Sequence, residues 1–168
     1  MKDSTPPTPS QMGATQVAQD LPRLIERMHR RYLDVVRIEL ARRGTVDISP
    51  VQAVMLGTIG GDEISVRDLI ERGYYLGSNA SYNLKNLVDG GYINRQASVR
   101  DRRSARLKLS PKGREILDVL AKLNLQMADM LVAGQGADLE TTHLTLRRLE
   151  RRWTDAIRSE GSGESEEF

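Results

Sequence analysis

Between Ser65 and Gly113 the order of caps, glycines and alternating residues leaves few folds open. Ser65-Val66-Arg67-Asp68 has capping-box spacing, in which the serine hydroxyl accepts from a free amide and the acid three residues on reaches back. A helix is predicted there, with Val66, Leu69 and Ile70 on one face and an end at Gly73, where the missing Cβ admits left-handed backbone. After a turn centred on Leu76-Gly77, a second helix is predicted from Ser78. Its apolar positions Ala80, Leu84 and Leu87 fall at i, i+4 and i+7, and Gly90-Gly91 closes it. Ile93 to Ser98 then reads as a strand that Ala105 to Leu109 can answer. Along the second strand Ala105, Leu107 and Leu109 alternate with Arg106 and Lys108, giving one buried and one wet face. Helix, turn, helix and hairpin in that order predict a winged helix-turn-helix, mainly α with a small antiparallel β-hairpin wing.

The buried stripe of the second helix leaves Ser78, Asn79, Ser81, Tyr82, Lys85 and Asn86 on the outside. A helix entering a major groove N-terminus first would offer these amide, hydroxyl and ammonium groups to base edges and phosphates; the plain alternative is an ordinary polar surface. The hairpin turn is Arg100-Asp101-Arg102-Arg103. Arginines there either solubilise the tip or enter a narrow minor groove, whose concentrated negative potential rewards a guanidinium, with Asp101 holding a neighbouring arginine by a charge-assisted bond. From Ser78 to Arg114 nine lysines and arginines face two aspartates, a surplus of +7, whereas the whole chain carries +2. Positive charge is therefore concentrated on this segment, as a polyanion-binding surface requires.

Further helices are predicted on both sides. Val17 to Arg43 carries Leu21, Leu24, Ile25, Met28, Tyr32, Val35, Val36 and Leu40 near helical spacing, and Ser49-Pro50-Val51-Gln52 is a capping box with proline at its favoured first position. Ser110-Pro111 starts a helix with Ile116, Leu120, Leu123, Met127 and Met130 on one stripe. Gly134 and Gly136 are expected to break it, and a last helix is expected from about Asp138, with Leu139, Leu146, Leu149, Trp153 and Ile157 aligned. These outer helices hold more apolar residues than one small reader needs. Pairing with a second copy is expected through Leu21, Leu24, Met28, Leu139, Leu146, Leu149, Trp153 and Ile157, because two readers on a two-fold axis fit half-sites about one helical turn apart.

The predicted layout is a tail over 1–16, a domain over 17–158 and an acidic tail over 159–168. Within the domain the winged helix-turn-helix covers about 48–110 and the dimerisation helices about 17–43 and 111–158. Both tails are too poor in apolar residues to order themselves. With 39% hydrophobic and 29% charged residues the 168-residue chain suffices for one domain with a core. No stretch reaches the length of a membrane span and the start lacks the apolar segment of a signal peptide, so a cytoplasmic protein without membrane contact is expected.

Other chemistries find little support. The chain has no cysteine, which excludes disulfides, thiolate metal sites and cysteine-based redox switching. His29 and His143 are its two histidines and neither has a carboxylate pair at metal spacing, so no metal is expected. No nucleophile elbow, phosphate-binding loop or acid-base constellation is present, and neither an enzyme nor a cofactor is expected.

The run Asp101-Arg102-Arg103-Ser104-Ala105-Arg106-Leu107-Lys108-Leu109-Ser110-Pro111-Lys112-Gly113 resembles the signature of MarR-type transcriptional regulators: Asp-x-Arg, an alternating strand, then Leu-Ser/Thr-x-x-Gly at a helix start. The resemblance spans roughly Leu21 to Arg158. It implies a homodimer in which Ser78 to Asp89 is the recognition helix, Arg103 enters the minor groove and Asp101 orients it. Asn83 departs from the family pattern, which has an apolar residue there, and so bears on the rotation of the helix. Arg72 to Asn79 with Ser81 to Lys85 also resembles a branch found in alphaproteobacteria, typified by the L,D-transpeptidase regulator. That branch implies cell-wall or stress genes as targets and a small aromatic effector. Tyr74 and Tyr75 before the recognition helix and Tyr32 on the first helix either pack between layers or line a crevice suited to such a ligand.

The expected function is a dimeric repressor that binds a pseudo-palindromic double-stranded operator and is relieved by a small molecule. A winged-helix scaffold for protein partners, with its arginines as solvated charge, is the alternative.

Overall fold

The computed structural model describes residues 13–73, 77–97 and 105–161. Its elements in chain order are α1 (Ala14–Arg42), α2 (Pro50–Ile59), β1 (Ile64–Ser65), α3 (Val66–Gly73), α4 (Gly77–Asp89), β2 (Ile93–Ala97), β3 (Ala105–Leu109) and α5 (Pro111–Gly161). The chain divides into two units, one ending at Leu123 and the other starting at Asn124.

Local chemistry sets most boundaries. The amide of Gln52 donates to Ser49 Oγ (3.2 Å) while the amide of Ser49 donates to Gln52 Oε1 (2.9 Å), and Pro50 takes the first helical position, where its missing N–H is no loss. Ser65 and Asp68 make the same reciprocal pair at the start of α3, at 3.0 and 3.1 Å. Both α1 and α4 end in a Schellman motif. At α1 the amides of Gly44 and Thr45 donate to Ala41 and Leu40 carbonyls. At α4 those of Gly91 and Tyr92 donate to Val88 and Leu87, and Gly91 supplies the positive φ of 74°.

The core of the first unit surrounds α2, which packs on α1, α3, α4 and β3. Ala53, Met55, Leu56 and Ile59 are buried there together with Val36 and Leu40 of α1, Leu69 of α3, Ala80, Leu84 and Leu87 of α4, and Ile116, Leu120 and Leu123 of α5. Beside them lies an antiparallel sheet in the order β1-β3-β2. β3 pairs Leu109 with Ile93, Leu107 with Arg95 and Ala105 with Ala97, and the predicted alternation holds, with Leu107 and Leu109 buried and Arg106 and Lys108 exposed. The sequence predicted two strands; β1 is a third, pairing Ile64 with Leu107 and Ser65 with Arg106. Two residues are too short to show alternation, and β1 forms because Ile64 needs burial beside Leu107.

The expected break at Gly134 and Gly136 does not occur: α5 is helical through both. A helical glycine costs only about 1 kcal/mol relative to alanine and keeps its N–H donor, so two of them between stretches rich in Ala, Leu, Met and Gln do not stop a helix. In the second unit Leu139, Leu146 and Leu149 are half-buried while Met130, Leu131, Leu144, Trp153 and Ile157 are exposed.

Polar contacts close the far end of α4 against the start of α5. Ser110, itself buried, accepts from the Gly113 amide (3.0 Å) and donates from its hydroxyl to the Gly91 carbonyl (2.7 Å), and its amide donates to the Tyr92 carbonyl (3.0 Å). The first turn of α5 lies so close to Tyr92 that a Cβ at Gly113 would collide with the Tyr92 carbonyl oxygen. Tyr92 is almost wholly buried; its hydroxyl donates to Asp47 Oδ1 (2.6 Å), and Lys112 Nζ donates to Asp47 Oδ2 (2.6 Å).

Two consequences can be measured. Gly113→Ala must displace backbone, not a side-chain tip, so it is expected to cost about 1–3 kcal/mol or more, read as a lower urea midpoint; an unshifted midpoint would contradict the close approach. Ser65→Ala should cost about 1 kcal/mol at neutral pH by thermal melting. The serine's hydroxyl and amide hold the Asp68 carboxyl below its usual value, so the stability this group contributes is complete above its unfolded value and fades as pH falls through the lower folded one. Ser65→Ala should therefore also show a shallower loss of stability on acidification.

Candidate nucleic-acid interface

Burial on one side of α4 decides which side chains the other side presents. Ala80, Leu84 and Leu87 are sealed into the core, which leaves Ser78, Asn79, Ser81, Tyr82 and Lys85 exposed. Tyr82 protrudes furthest of the large apolar or aromatic groups on this helix, at 67% exposure. Asn86, read as outward-facing, is half-buried beside the stripe.

Asn83 is also half-buried, and its side-chain amide donates to the Asn79 carbonyl one turn back (2.9 Å). A polar residue at the margin of the core is tolerated because it satisfies itself within its own helix. The rotation of α4 is thus set by Ala80, Leu84 and Leu87 with no demand on Asn83. Lys85 is not a free cation: its Nζ lies 2.7 Å from Asp89 Oδ2, and this hydrogen bond raises the affinity of the ammonium for its proton. The pair is exposed, so a phosphate oxygen could replace the carboxylate at little cost.

The wet face of the sheet carries the cations Arg106 and Lys108. Asn94 stands opposite Lys108 and Gln96 opposite Arg106, all four exposed. In front of α4, Arg67 pairs with Glu71 at 2.7 Å, which keeps its guanidinium firmly protonated. Arg100, Asp101, Arg102 and Arg103, expected at the wing tip, lie outside the described residues, as do Tyr74 and Tyr75. The ends of β2 and β3 that flank the tip are paired, Ala97 with Ala105, so residues 98–104 connect the two strands.

Tyr32, the remaining tyrosine proposed for a ligand, is half-buried on α1. An open cleft of about 350 Å³ in the first unit is lined by Arg43, Thr45, Glu115, Ile116, Asp118, Val119 and Lys122, and Tyr32 is not part of its wall. Both histidines are exposed, and among the described residues no three His, Cys, Asp or Glu side chains converge as a metal site would require. No described helix is long and apolar enough to cross a membrane.

Sequence reasoning passed over Tyr92 and Asp47. An aromatic directly after a double glycine signals a buried anchor beyond a helix end, but nothing local to Asp47 reveals partners 45 and 65 residues away.

The family model described as MarR family matches residues 46–104, from the loop before α2 to the wing. The exopolysaccharide II synthesis transcriptional activator ExpG of Rhizobium meliloti is 46% identical over 141 residues, covering 83% of this chain and 73% of that protein. Among solved structures, Streptococcus pneumoniae FabT in complex with DNA is similar with a TM-score of 0.67 at 23% identity, over 83% of this chain and 99% of that one. A mutant of MarR from E. coli complexed with operator DNA gives 0.66 at 20% identity, over 82% and 99%. Two structures solved on DNA thus share the fold, and the identity to ExpG carries the relationship: the chain belongs to the MarR family of DNA-binding transcriptional regulators, which are not enzymes.

Proposed function

We propose that this protein is a dimeric, sequence-specific regulator that lays α4 of each copy into successive major grooves of a pseudo-palindromic operator while the wing tips reach the flanking minor grooves. The observation that carries this reading is the two-sidedness of α4: one side locked by Ala80, Leu84 and Leu87, the other an array of hydrogen-bonding groups. Ser78, Asn79, Ser81 and Tyr82 are assigned to base edges and backbone, and Lys85 to a phosphate that takes the place of Asp89. Arg103 is assigned to the minor groove, with Asp101 orienting it and Arg100 and Arg102 neutralising phosphates. Such a protein works in the cytoplasm, where bacterial DNA is.

Pairing of two copies is supported by apolar surface that the first unit's core does not use. Leu24 and Met28 on the first half of α1 are exposed while Val36 and Leu40 further along are buried, and Trp153 and Ile157 of α5 are exposed. These residues, with Leu21, Leu139, Leu146 and Leu149, are assigned to the dimer interface, and the helices over 17–43 and 111–158 to dimerisation, with a reader over about 48–110 between them. Unpartnered apolar faces of this kind mark association surfaces.

A small aromatic effector bound beside Tyr32, Tyr74 and Tyr75 would alter DNA affinity if it preferred one separation of the two readers. The sign of the output depends on operator position. A dimer covering the polymerase site represses, and one seated upstream can activate; ExpG's name as a transcriptional activator supports the second mode alongside the repression expected from sequence. Its link to exopolysaccharide synthesis favours surface-polymer genes as targets.

The deciding experiment is a mobility-shift titration against the DNA upstream of the protein's own coding region, with a random duplex as competitor, at two salt concentrations. A shift that resists the competitor and weakens steeply with salt supports the reading, because phosphate contacts release counterions. Equal, weak binding to both duplexes favours the protein-interaction scaffold. Arg103→Ala is expected to weaken specific binding by about 1–3 kcal/mol with the dimer intact. Light scattering at micromolar concentration should give twice the 18.8 kDa chain mass; a monomer would remove the paired-reader geometry.

A further inference from the structure

The buried stripe of Ala80, Leu84 and Leu87 sets which side of α4 faces the core. The C-terminal end of the helix is tied to distant parts of the chain by polar contacts. Three distant segments meet at this end: Asp47 in the connector before α2, Gly90 to Tyr92 after α4, and Ser110 to Gly113 at the start of α5. Lys112 is central. Its ammonium donates to the Gly90 carbonyl (3.0 Å) and to Asp47 Oδ2 (2.6 Å), and stands 4.1 Å from the centre of the Tyr92 ring. The other Asp47 oxygen takes the Tyr92 hydroxyl at 2.6 Å.

We propose that Asp47 and Lys112 are positioning residues for DNA recognition: one carboxylate, divided between Tyr92 and Lys112, clasps the C-terminal end of α4 to the connector before α2 and the first turn of α5, and so fixes the angle at which α4 meets the groove. The proposal rests on the DNA-binding reading above.

Two features favour an angular role over a merely stabilising one. The Lys112 and Asp47 side chains are 46% and 55% exposed, and ion pairs so exposed add little to stability. A carboxylate with one partner per oxygen, though, restricts direction far more than a single contact does. The ammonium also meets α4 at its negative dipole end, on a carbonyl that the helix itself leaves without a partner. Any change in the α1–α2 connector or in the start of α5 is thereby transmitted to the reading helix through side chains about 3 Å apart.

Asp47→Ala separates this role from plain charge by sign. Removing a negative charge strengthens non-specific attraction to DNA, whereas loss of the clasp weakens specific recognition. Operator affinity is expected to fall roughly five- to tenfold, affinity for a random duplex to stay level or rise, and Tm to stay within about 3 °C of wild type. In the free protein the Gly91 and Tyr92 amides, bonded to Val88 and Leu87, should exchange faster, while that of Gly60, bonded to Leu56 in α2, should not. The double variant D47A/K112M restores the wild-type net charge without the clasp and should bind the operator as poorly as D47A or worse.

Operator affinity equal to or above wild type in D47A overturns the proposal. If D47A loses its fold, Tyr92→Phe decides: it removes one clasp hydroxyl at constant charge and must weaken operator binding in the same direction, and wild-type affinity overturns the idea. A wild-type protein with no preference for any duplex refutes the DNA-binding reading instead; unequal amide exchange then still supports the clasp as a restraint on α4, and equal exchange removes it too.

Discussion

Helix α2 has almost no polar face. Val51 and Gly57 reach solvent, and Ala53, Met55, Leu56 and Ile59 point into the core on different sides. A helix of this composition is stable only if other elements cover it all round, which makes it an organising centre rather than one helix among equals. α1, α3, α4 and β3 all pack on it, so α4 inherits its position from this segment. The capping box at Ser49 and Gln52 then fixes where this centre begins, immediately after the connector that holds Asp47.

Around α2 the polar chemistry is local and economical. Serines at positions 49, 65 and 110 each place a hydroxyl on the amide three residues on, and Ser110 also donates to the Gly91 carbonyl. No buried side-chain nitrogen or oxygen among the described residues lacks a hydrogen-bond partner, as a uniquely packed core requires. The Leu-Ser-x-x-Gly run at the start of α5 gains a physical meaning from this: Leu109 closes the strand, Ser110 joins the helix start to the end of α4, and Gly113 is small because the Tyr92 carbonyl occupies the space a Cβ would need. A motif first noticed as a family resemblance is a backbone close approach.

Polar and apolar exposed positions fall on different elements. The exposed positions of α4 and the wet face of the sheet are polar and basic, whereas the first half of α1 and the far part of α5 expose leucine, methionine and tryptophan. That division fits a regulator that reads with one surface and pairs with another. Lys85, a cation on the exposed side of α4, is paired with Asp89, an exposed contact that adds little to stability.

Sequence alone determined the starts of α2, α3 and α5, the end of α4 at Asp89, most of the outward face of α4 and the alternation of β3. Each rests on residues within one or two turns of each other: caps, glycines with positive φ, and a periodicity of 3.6 or 2. It misjudged Gly134 and Gly136 because glycine weakens a helix without forbidding it, and the surrounding residues outweigh it. β1 escaped notice because two residues carry no period. Tertiary structure alone decided that Ile64 makes a third strand, that Asn83 satisfies itself at the core margin, and that Asp47, Tyr92 and Lys112 converge. These contacts join residues far apart in the chain, and a sequence lists which groups can bond, whereas only packing around α2 decides which of them meet.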